Sequence, residues 1–469
     1  MAAVVVIGAG MAGSTAALLL ANDGHDVTVL ERDPAPVPAS ADEAWAGWER
    51  RGVNQFRMLH YFLSKFRMLV EAELPDVAVE LEKDGALRMN PLHGMPEEMR
   101  GPLRPDDDRF AVLTGRRPMV EAAIARVMND HPGITVRRGV GVLGFVTGEP
   151  TVAGVPHVLG VRTDDGSELR ADLIVDAGGR RSALPALLAE IGASSAPEER
   201  ADCGFIYYGR YFRSSTGEVP PAFGPPLQPY GSVSALALPA DNGTWAVGII
   251  TSARDTAARS ASRVDVWESV IGSMPLLAHW LQGEPLGDIA VMAKIEDRYR
   301  EFVVGGVPVV TGVLAVGDSW ACTNPSVGRG SSIALMHTVA LRDTLRELGV
   351  GDAYALATRW HEVSEQQIGP FVQDTLSFDR HRLAEIDAAI EGRPYETDDL
   401  TWGFGQALER AAMKDHDALR AYIGIANLLE RGVDVFARPG MADTAINLGL
   451  EPAPLPGPSR SELLSMFAA

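Results

Sequence analysis

The apolar and polar positions near the amino terminus follow the pattern of an α/β unit. Residues 4–7 form a continuous apolar run that predicts a buried strand. The Ala- and Leu-rich residues 11–22 predict a helix that ends before Gly24, and residues 26–30 predict a second strand that stops at Glu31. A strand, a helix and a strand in this order indicate the start of a parallel sheet.

A different pattern begins near residue 200. Residues 205–212, 232–238 and 245–251 are apolar or alternating, and Asp241-Asn242-Gly243 is a typical hairpin sequence. These features predict an antiparallel sheet that is separate from the parallel one.

Other segments complete the prediction of elements. Residues 51–74 carry apolar positions at helical spacing, and residues 118–128 predict a helix. Residues 135–145 and 309–316 read as strands. Asp165-Gly166 predicts a turn between strands at residues 157–163 and 172–176, a helix is predicted at residues 331–348 before Gly349, and the remaining residues are mostly helical.

The predicted fold class is α/β (α+β two-domain), with a Rossmann-like nucleotide-binding domain, an antiparallel-sheet substrate domain and a helical C-terminal region. The nucleotide-binding domain is predicted to be discontinuous, at residues 1–185 and 303–350, with residues 75–108 as a candidate contribution to the substrate side. The substrate domain is predicted at residues 186–302 and the helical region at residues 351–469.

Composition narrows the classes of function. The 469 residues exceed what one core usually serves, and the net charge of -20 argues against a nucleic acid as partner. Cys203 and Cys322 cannot form a disulfide framework, and we predict no metal site. No apolar run approaches the roughly 20 residues of a membrane span, so we expect a cytoplasmic protein that is not an integral membrane protein.

The first candidate for chemistry is a glycine-rich turn after the first strand. Gly8, Gly10 and Gly13 permit the backbone to approach a pyrophosphate, toward which the following helix directs its free N–H groups. Glu31 lies 18 residues beyond Gly13, where its carboxylate can accept both hydroxyls of an adenosine ribose and would repel a 2′-phosphate. The turn therefore predicts FAD or NAD.

Two later segments fit the same pocket. Residues 172–182 end a strand in a glycine turn. Gly317-Asp318 ends another, where the aspartate can bind the ribityl or pyrophosphate region. Gly328 and Gly330 permit close backbone approach, and the helix that follows can stabilise negative charge on a reduced flavin.

Three polar side chains have two readings. Arg117 precedes a helix and can reach a pyrophosphate or a flavin, and a solvated arginine at a helix start is the alternative. Arg51 with Gln55 can touch the edge of a flavin or form a surface ion pair.

With these three segments in this order, the chain resembles the FAD-dependent aromatic hydroxylases of the p-hydroxybenzoate hydroxylase type over about residues 1–350. Residues 51–55, 176–182 and 324–330 are similar to a branch of actinobacterial flavin-dependent epoxidases and hydroxylases of natural-product pathways.

The resemblance implies FAD as cofactor, with the backbone near Val140 facing adenine and residues 325–330 covering the isoalloxazine. It also implies a contact of Arg117 with the cofactor. The cofactor-binding residues are then Gly8, Gly10, Met11, Ala12, Gly13, Glu31, Arg32, Arg51, Arg117, Val140, Gly178, Gly317, Asp318, Gly328, Gly330 and Ser331.

Two departures from the family pattern bear on mechanism. The middle motif of the family usually ends Ala-Asp-Gly, where this chain has Ala177-Gly178-Gly179. That aspartate is associated with the handling of FAD and NAD(P)H, so its absence puts direct reduction by NADPH in doubt and suggests a separate flavin reductase. Many relatives have Gln at the position of Arg329, whose cation would stabilise reduced flavin or an anionic substrate group.

The implied activity is that of an FAD-dependent monooxygenase. Reduced FAD and dioxygen would form a C4a-hydroperoxyflavin that transfers one oxygen atom, by hydroxylation or epoxidation, to an apolar or aromatic natural-product intermediate. NAD(P)H would supply electrons directly or through the reductase. Because successive strand residues face opposite sides, only some of the candidate substrate residues Tyr207, Tyr208, Tyr211 and Trp245 can face a pocket.

Several readings stay open. A reductase or dehydrogenase and a halogenase share this fold, although the halogenase segment Trp-x-Trp-x-Ile-Pro is not found. A non-catalytic flavin-binding redox protein is the alternative from another class. The protein would be a monomer or a homodimer. No catalytic residue can be named beyond the flavin-covering loop with Pro325, Gly328, Arg329 and Gly330 and the weaker Arg51 and Gln55; the lone histidines His60, His93, His337 and His381 read as surface or satisfied core residues.

Overall fold

The computed structural model describes residues 1–451 and 455–469. Residues 452–454, within the predicted helical C-terminal region, lie outside the described part. The strands are β1 (Ala3–Ile7), β2 (Asp26–Glu31), β3 (Leu87–Met89), β4 (Val112–Thr114), β5 (Ile134–Arg138), β6 (Val142–Val152), β7 (Val155–Thr163), β8 (Glu168–Arg170), β9 (Leu173–Asp176), β10 (Glu198–Asp202), β11 (Phe205–Arg213), β12 (Leu227–Tyr230), β13 (Val233–Pro239), β14 (Thr244–Ser252), β15 (Glu284–Pro285), β16 (Ala290–Met292), β17 (Glu296–Arg300), β18 (Val303–Val304), β19 (Val307–Pro308), β20 (Val313–Ala315) and β21 (Ala321–Cys322).

The helices connect and cover these strands. They are α1 (Met11–Asn22), α2 (Ala41–Gly47), α3 (Ser64–Glu73), α4 (Pro75–Lys83), α5 (Glu97–Arg100), α6 (Arg117–Asp130), α7 (Leu184–Glu190), α8 (Val264–Gly272), α9 (Gly330–Leu348), α10 (Ala353–Val363), α11 (Gly369–Glu391), α12 (Leu400–Ala411), α13 (His416–Ala426), α14 (Gly432–Phe436), α15 (Met441–Gly449) and α16 (Arg460–Ala468). Short 3-10 turns lie at Pro91–Gly94, Asp107–Phe110, Gly179–Arg181, Ala257–Ser262, Ala278–Leu281 and Gly317–Ser319, and a π-helical turn at Ser364–Ile368 joins α10 to α11.

A five-stranded parallel sheet lies at the centre of the molecule, in the order β20-β9-β1-β2-β5. Its strands are apolar because both faces are covered. On β1, Val4 and Val6 pack with α1, α6 and α9, whereas Val5 packs against β6, β7 and α7 on the opposite face. The predicted parallel sheet is confirmed.

Three turns meet at the carboxyl end of this sheet, and their glycines permit the contact. A Cβ atom added to Gly13 would lie 1.8 Å from the carbonyl oxygen of Gly8, and one added to Gly8 would lie 2.7 Å from the carbonyl oxygen of Ala177. A Cβ atom added to Gly317 would lie 3.0 Å from the Cβ of Ala12. The three glycine motifs of the sequence therefore pack directly against one another.

A six-stranded sheet, antiparallel throughout, forms the second layer, in the order β12-β13-β14-β11-β15 with β16 also paired to β11. The predicted hairpin joins β13 to β14, where Asn242 and Gly243 adopt φ angles of 51° and 65°. One face of the sheet packs against α8 and α16. Tyr207 and Ile250, which are register partners, point from the other face.

The C-terminal region is helical, as predicted, and is tied to both sheets. Helix α11 packs against β14, and the Nη2 of Arg382 donates a hydrogen bond to the Oγ of Ser234 on β13, at 2.9 Å. Helices α12 to α15 share an apolar cluster of their own. No helix in the described part of the chain combines the length and apolarity needed to cross a membrane.

The structure corrects two predicted elements around the sheet. Of residues 51–74, only α3 is a regular helix of more than one turn, because Phe56 and Phe62 are buried in separate apolar clusters that one continuous helix could not reach. The predicted strand at residues 135–145 is divided into β5 and β6, because Gly139 adopts a φ of 73° between them.

Two further predictions are corrected in the same way. The strand predicted at residues 309–316 is limited to β20, because Gly312 has a φ of 81° and Thr311 instead bridges His157. The turn at Asp165-Gly166 leads into the short strand β8, which precedes β9.

The contact between the first glycine turn and α1 predicts that Gly13→Ala lowers the free energy of unfolding by about 3 kcal/mol or more, because the new methyl group overlaps the backbone of Gly8. Gly10→Ala is the matched control. Gly10 has a φ of -78°, and an added Cβ would meet no atom within 4 Å, so the loss is expected to stay below about 1 kcal/mol. Urea unfolding measures the free energy of unfolding of both variants. Equal stability of Gly13→Ala and Gly10→Ala would contradict the close contact between Gly13 and Gly8.

Candidate active site

A cavity of about 1010 Å³ lies between the carboxyl end of the parallel sheet and the free face of the antiparallel sheet. This volume is at the upper end of the roughly 300–1,000 Å³ that small-molecule sites occupy, as expected for a site that takes a dinucleotide and a substrate together. The predicted site residues that line it are Gly8, Gly10, Met11, Ala12, Glu31, Arg32, Arg51, Gln55, Arg117, Val140, Gly178, Tyr207, Tyr208, Asp318, Pro325, Gly328, Gly330 and Ser331.

Three predicted residues lie behind the cavity wall. Gly13 and Gly317 support the wall through their contacts with Gly8 and Ala12. The side chain of Arg329 points to α11, where its Nη1 donates a hydrogen bond to the Oγ1 of Thr375 at 3.3 Å. The predicted placement of this cation beside a flavin is therefore corrected, because the arginine is used to join the loop to the helix.

Two helices begin at the cavity without a side-chain cap. Helix α1 follows Gly10, and α9 follows Arg329, and neither N-cap residue places a side-chain acceptor on the free N–H groups of the first turn. Unpaired N–H groups and the positive end of the helix dipole favour an anion. A Cβ added to Gly10 would meet no protein atom within 4 Å, so the space before α1 is open. This arrangement fits a pyrophosphate.

Glu31 is held at the end of β2 by three donors. Its Oε2 accepts hydrogen bonds from the backbone N of Ala9 and from the Nη2 of Arg50, both at 2.9 Å. Its Oε1 accepts one from the backbone N of Asp33, also at 2.9 Å. A carboxylate offers about four acceptor positions, so one position on Oε1 remains for a ligand hydroxyl.

Arg50 is a site residue that the sequence did not reveal. Its side chain is buried and joins Glu31 to the buried Glu121 of α6, at 3.3 Å. The Nε of Arg117 binds the other carboxylate oxygen of Glu121 at 2.6 Å. Glu31, Arg50, Glu121 and Arg117 thus form a continuous series of ion pairs, because a buried charge without a partner would be strongly destabilising.

This series of ion pairs ends at His60, which lines the cavity. Burial, with the nearby charge of Arg117, lowers the pKa of His60 to about 3, so the ring is neutral. The Nδ1 lies 2.9 Å from the carbonyl oxygen of Met58, which only accepts, and the Nε2 lies 3.2 Å from the Nη1 of Arg117, which only donates. These partners place the proton on Nδ1, and a general base is therefore not expected here.

The second glycine turn is organised by Asp176. Its carboxylate accepts hydrogen bonds from the backbone N of Gly178, at 3.2 Å, and from the Oγ of Ser182. Burial raises the pKa of Asp176, and the bond from Ser182 opposes the shift. A Cβ added to Gly178 would lie 3.0 Å from the Oδ1 of Asp176, so an aspartate at position 178 would bring two carboxylates together.

The third turn is held by a buried histidine. The backbone N of Gly317 donates to the Nδ1 of His337 at 3.1 Å, and the Nε2 of His337 therefore donates to the Oγ of Ser364 at 2.9 Å. Burial lowers the pKa of His337 to about 3, which keeps the Nδ1 free to accept. His337 thus fixes the turn that places Asp318 in the cavity wall.

The other candidate histidines lie outside the cavity lining. His381 contacts the hydroxyl of Tyr395 and the carboxylate of Asp399, which is 3.0 Å from its Nε2. His93 lies in the 3-10 turn Pro91–Gly94. Neither is placed to act on a ligand of this site.

The aromatic residues of the antiparallel sheet separate by face. The side chain of Tyr207 lies on the face toward the cavity. Tyr208 borders the cavity as well, but its side chain belongs to the apolar cluster behind the sheet. Trp245 lies behind the sheet too, and its Nε1 donates to the carbonyl oxygen of Trp280 at 2.7 Å. Tyr211 packs against Trp45 and does not line the cavity. The candidate substrate contacts Tyr211 and Trp245 are therefore corrected.

A second buried polar group, in which Asp379 is the member that the sequence did not reveal, lies at the end of the cavity next to α11. The hydroxyl of Tyr207 donates to the Oδ1 of Asn324 at 2.7 Å. The Nδ2 of Asn324, at 3.3 Å, and the Oγ of Ser326 both donate to the Oδ1 of Asp379 on α11. Burial raises the pKa of Asp379 to about 7, and the bonds from Ser326 and Asn324 oppose the rise.

The sequence has relatives in keeping with this site. Residues 3–101 match the family of FAD dependent oxidoreductases. The chain is 26% identical over 357 residues to protein Rv3254 of Mycobacterium tuberculosis (strain ATCC 25618 / H37Rv), an alignment that covers 73% of this chain and 72% of the relative.

Solved structures share the fold. The p-nitrophenol 4-monooxygenase PnpA from Pseudomonas putida DLL-E4 is similar with a TM-score of 0.61 and 16% identity, covering 92% of this chain and 100% of that one. PqsL from Pseudomonas aeruginosa, a probable FAD-dependent monooxygenase, has a TM-score of 0.59 and 17% identity, covering 82% and 96%. The predicted fold is thereby confirmed, and the match of residues 3–101 to FAD dependent oxidoreductases agrees with the prediction of FAD as cofactor.

Glu31 provides a test of cofactor binding. Glu31→Ala is expected to weaken FAD binding about 10- to 100-fold, because it removes an acceptor for the ligand and leaves Arg50 partly unpaired. Glu31→Gln keeps one acceptor oxygen, so its affinity for FAD should lie between those of the wild type and Glu31→Ala. Quenching of flavin fluorescence measures the affinity, and the exposed Glu82 of α4 provides the control Glu82→Gln. An unchanged affinity in Glu31→Ala would reject the role.

The pH dependence of protein stability tests whether the carboxyl group of Asp379 is buried in this polar group. The pKa of Asp379 is higher in the folded protein than the ordinary 3.8. Protonated Asp379 is therefore compatible with the folded state, and this contribution to the free energy of unfolding is lost as the pH rises from about 4 to 7 and Asp379 ionises. Asn cannot ionise. The stability of Asp379→Asn relative to wild type should therefore rise by about 3 kcal/mol between pH 5 and pH 8.

Urea unfolding at the two pH values measures this difference. Asp374→Asn, on the same helix and with its carboxylate half-exposed beside Arg431, is the matched control. A pH-independent difference for Asp379→Asn would contradict the assignment.

Proposed function

We propose that this chain is an FAD-dependent monooxygenase that inserts one oxygen atom of dioxygen into an apolar or aromatic natural-product intermediate, by hydroxylation or epoxidation. The observation that carries the proposal is a shared cavity, which the three glycine turns line on one side and the apolar face of the antiparallel sheet lines on the other. Bound FAD supplies the redox chemistry, and the protein binds, orients and shields the reactants.

The residues at the turns have distinct parts in holding FAD. The free N–H groups before α1 stabilise the pyrophosphate. Glu31 would accept a ribose hydroxyl at its remaining position, the backbone at Val140 would face adenine, and Asp318 would bind the ribityl chain. The free N–H groups at the start of α9 would stabilise negative charge on reduced flavin.

The substrate side of the cavity is largely apolar. Met58, Leu59, Leu236, Ile250 and Met292 line it, and these side chains exclude water from the reacting groups. Leu59 fits against the register pair Gly209 and Gly248, where added Cβ atoms would lie 2.5 Å and 3.2 Å from its Cδ1. An apolar or aromatic substrate suits such a wall.

The electron donor follows from the second turn. A Cβ atom at position 178 would lie 3.0 Å from the Oδ1 of Asp176 and 3.2 Å from Ser182, so a side chain there would be tightly packed, and Gly178 itself offers no carboxylate through which NAD(P)H could be handled. We therefore propose that a separate flavin reductase delivers electrons from NAD(P)H. The proposal also keeps the predicted domains, at residues 1–185 with 303–350, 186–302 and 351–469, and a cytoplasmic protein.

Stopped-flow spectroscopy of the purified protein tests the function. The protein should retain FAD and not FMN, and NADPH alone should reduce it about tenfold or more slower than NADPH with an added flavin reductase. When reduced protein meets dioxygen, the oxidised flavin spectrum should return in two phases, because reaction with oxygen and restoration of the oxidised ring would be separate steps.

Two results would contradict the proposal. Return of the spectrum in one phase under all conditions favours the reductase or the non-catalytic redox protein. Failure to bind FAD in a titration removes the basis of the function altogether. Rapid reduction by NADPH alone would reject only the separate reductase.

A further inference from the structure

The hydrogen bonds around Asn324 have fixed directions. The Nδ2 of Asn324 faces Asp379, whose Oδ1 accepts, so the Oδ1 of Asn324 must face the hydroxyl of Tyr207. An amide oxygen only accepts, and the proton of Tyr207 is therefore committed to Asn324. Burial, with the nearby Asp379, holds the pKa of Tyr207 well above its usual range, so this proton stays in place.

Ser326 has its proton committed in the same way. Its Oγ donates to the Oδ1 of Asp379, which is almost fully buried on α11. The backbone of the same loop has no donor to offer the cavity at two further positions. Pro325 lacks an N–H group, and the N–H of Asn324 donates to the Oδ1 of Asp297 at 2.8 Å.

Tyr207, Asn324, Pro325 and Ser326 all line the cavity, and we call these four residues the polar wall. A hydroxyl has one proton and two acceptor lone pairs. Once the protons of Tyr207 and Ser326 are directed away from the cavity, only their lone pairs are left for a ligand. His60 has no free proton on the cavity side either, since its Nδ1–H is used by Met58.

We propose that the polar wall is a hydrogen-bond acceptor subsite, which selects a substrate that carries a hydroxyl or N–H donor on its otherwise apolar frame. Asp379 is a positioning residue that sets this selectivity from behind the wall, because its ionised carboxylate accepts the protons of Ser326 and Asn324. The inference rests on the proposed function for the identity of the ligand as substrate.

A ligand that offers only an acceptor, such as an ether, would face the lone pairs of Tyr207 and Ser326. Each buried polar group left without a partner carries a penalty, so the wall discriminates by chemistry as well as by size. A ligand hydroxyl at the same position donates its proton to a lone pair of the polar wall, so both groups gain a hydrogen-bond partner.

Three naphthalene probes test the subsite in the purified protein with FAD added, at pH 8, where the carboxyl group of Asp379 is ionised. 2-Naphthol offers a donor, 2-methoxynaphthalene offers only an acceptor, and naphthalene offers neither. Affinity is measured by the fluorescence of each probe. 2-Naphthol is expected to bind roughly tenfold tighter than the other two, which corresponds to one net hydrogen bond.

The variants Ser326→Ala and Tyr207→Phe each remove one acceptor and should reduce this preference severalfold while naphthalene binds as before. Cys203→Ala is the matched control, because its thiol lies 3.5 Å from the Oδ1 of Asn324 but does not line the cavity. It should leave the preference intact.

The proposal is overturned if the three probes bind wild type equally, if 2-naphthol does not bind, or if both wall variants keep the full preference. FAD content is read separately from flavin absorbance. A protein that binds no FAD yet shows the probe preference would refute the proposed function and leave the acceptor subsite standing.

Discussion

The close approach of three backbone turns at the end of the parallel sheet is the constraint on which the site depends. Gly8 meets Ala177, Gly13 meets Gly8, and Gly317 meets Ala12, at separations that leave little or no space for a Cβ atom. Because the turns pack directly together, the starts of α1 and α9 and the carboxylate of Glu31 face one cavity. The dinucleotide site is thus a consequence of missing side chains more than of added ones.

Around these turns, buried charges are arranged in pairs. Glu31, Arg50, Glu121 and Arg117 alternate in sign and end at the neutral ring of His60. Removing one member would leave its neighbour buried and unpaired, which costs more than the pair itself contributes. The same logic holds at the substrate end, where Asp379 accepts the donors of the loop.

Much of the cofactor half was accessible from the sequence because its signals are local. The unit β1–α1–β2, the glycine turns and Glu31 all lie within short segments whose hydrophobic period and spacing have a direct physical meaning. The alternation along β11 and β14 likewise indicates that only some of the aromatic residues face the cavity, but it does not indicate which of the two faces of the sheet they lie on. The candidate Trp245 is therefore wrong, because its side chain lies behind the sheet. Tyr207 stays a prediction of substrate contact.

The residues that were missed depend on contacts between distant parts of the chain. Arg50 stands beside Arg51 and no local pattern distinguishes them, yet Arg50 is buried against Glu121, which is 71 residues away. Asp379 meets Ser326 across 53 residues, through a helix whose position follows only from the packing of the whole molecule. A single sequence carries no signal for such pairs beyond residue type.

Hydrogen exchange measured with and without FAD tests most directly whether the three turns form one site. The account predicts that FAD slows exchange together in peptides that cover residues 8–13, 176–182 and 317–331, with a shared midpoint in the titration. Protection confined to the first peptide, with the other two unchanged at saturating FAD, would contradict the account.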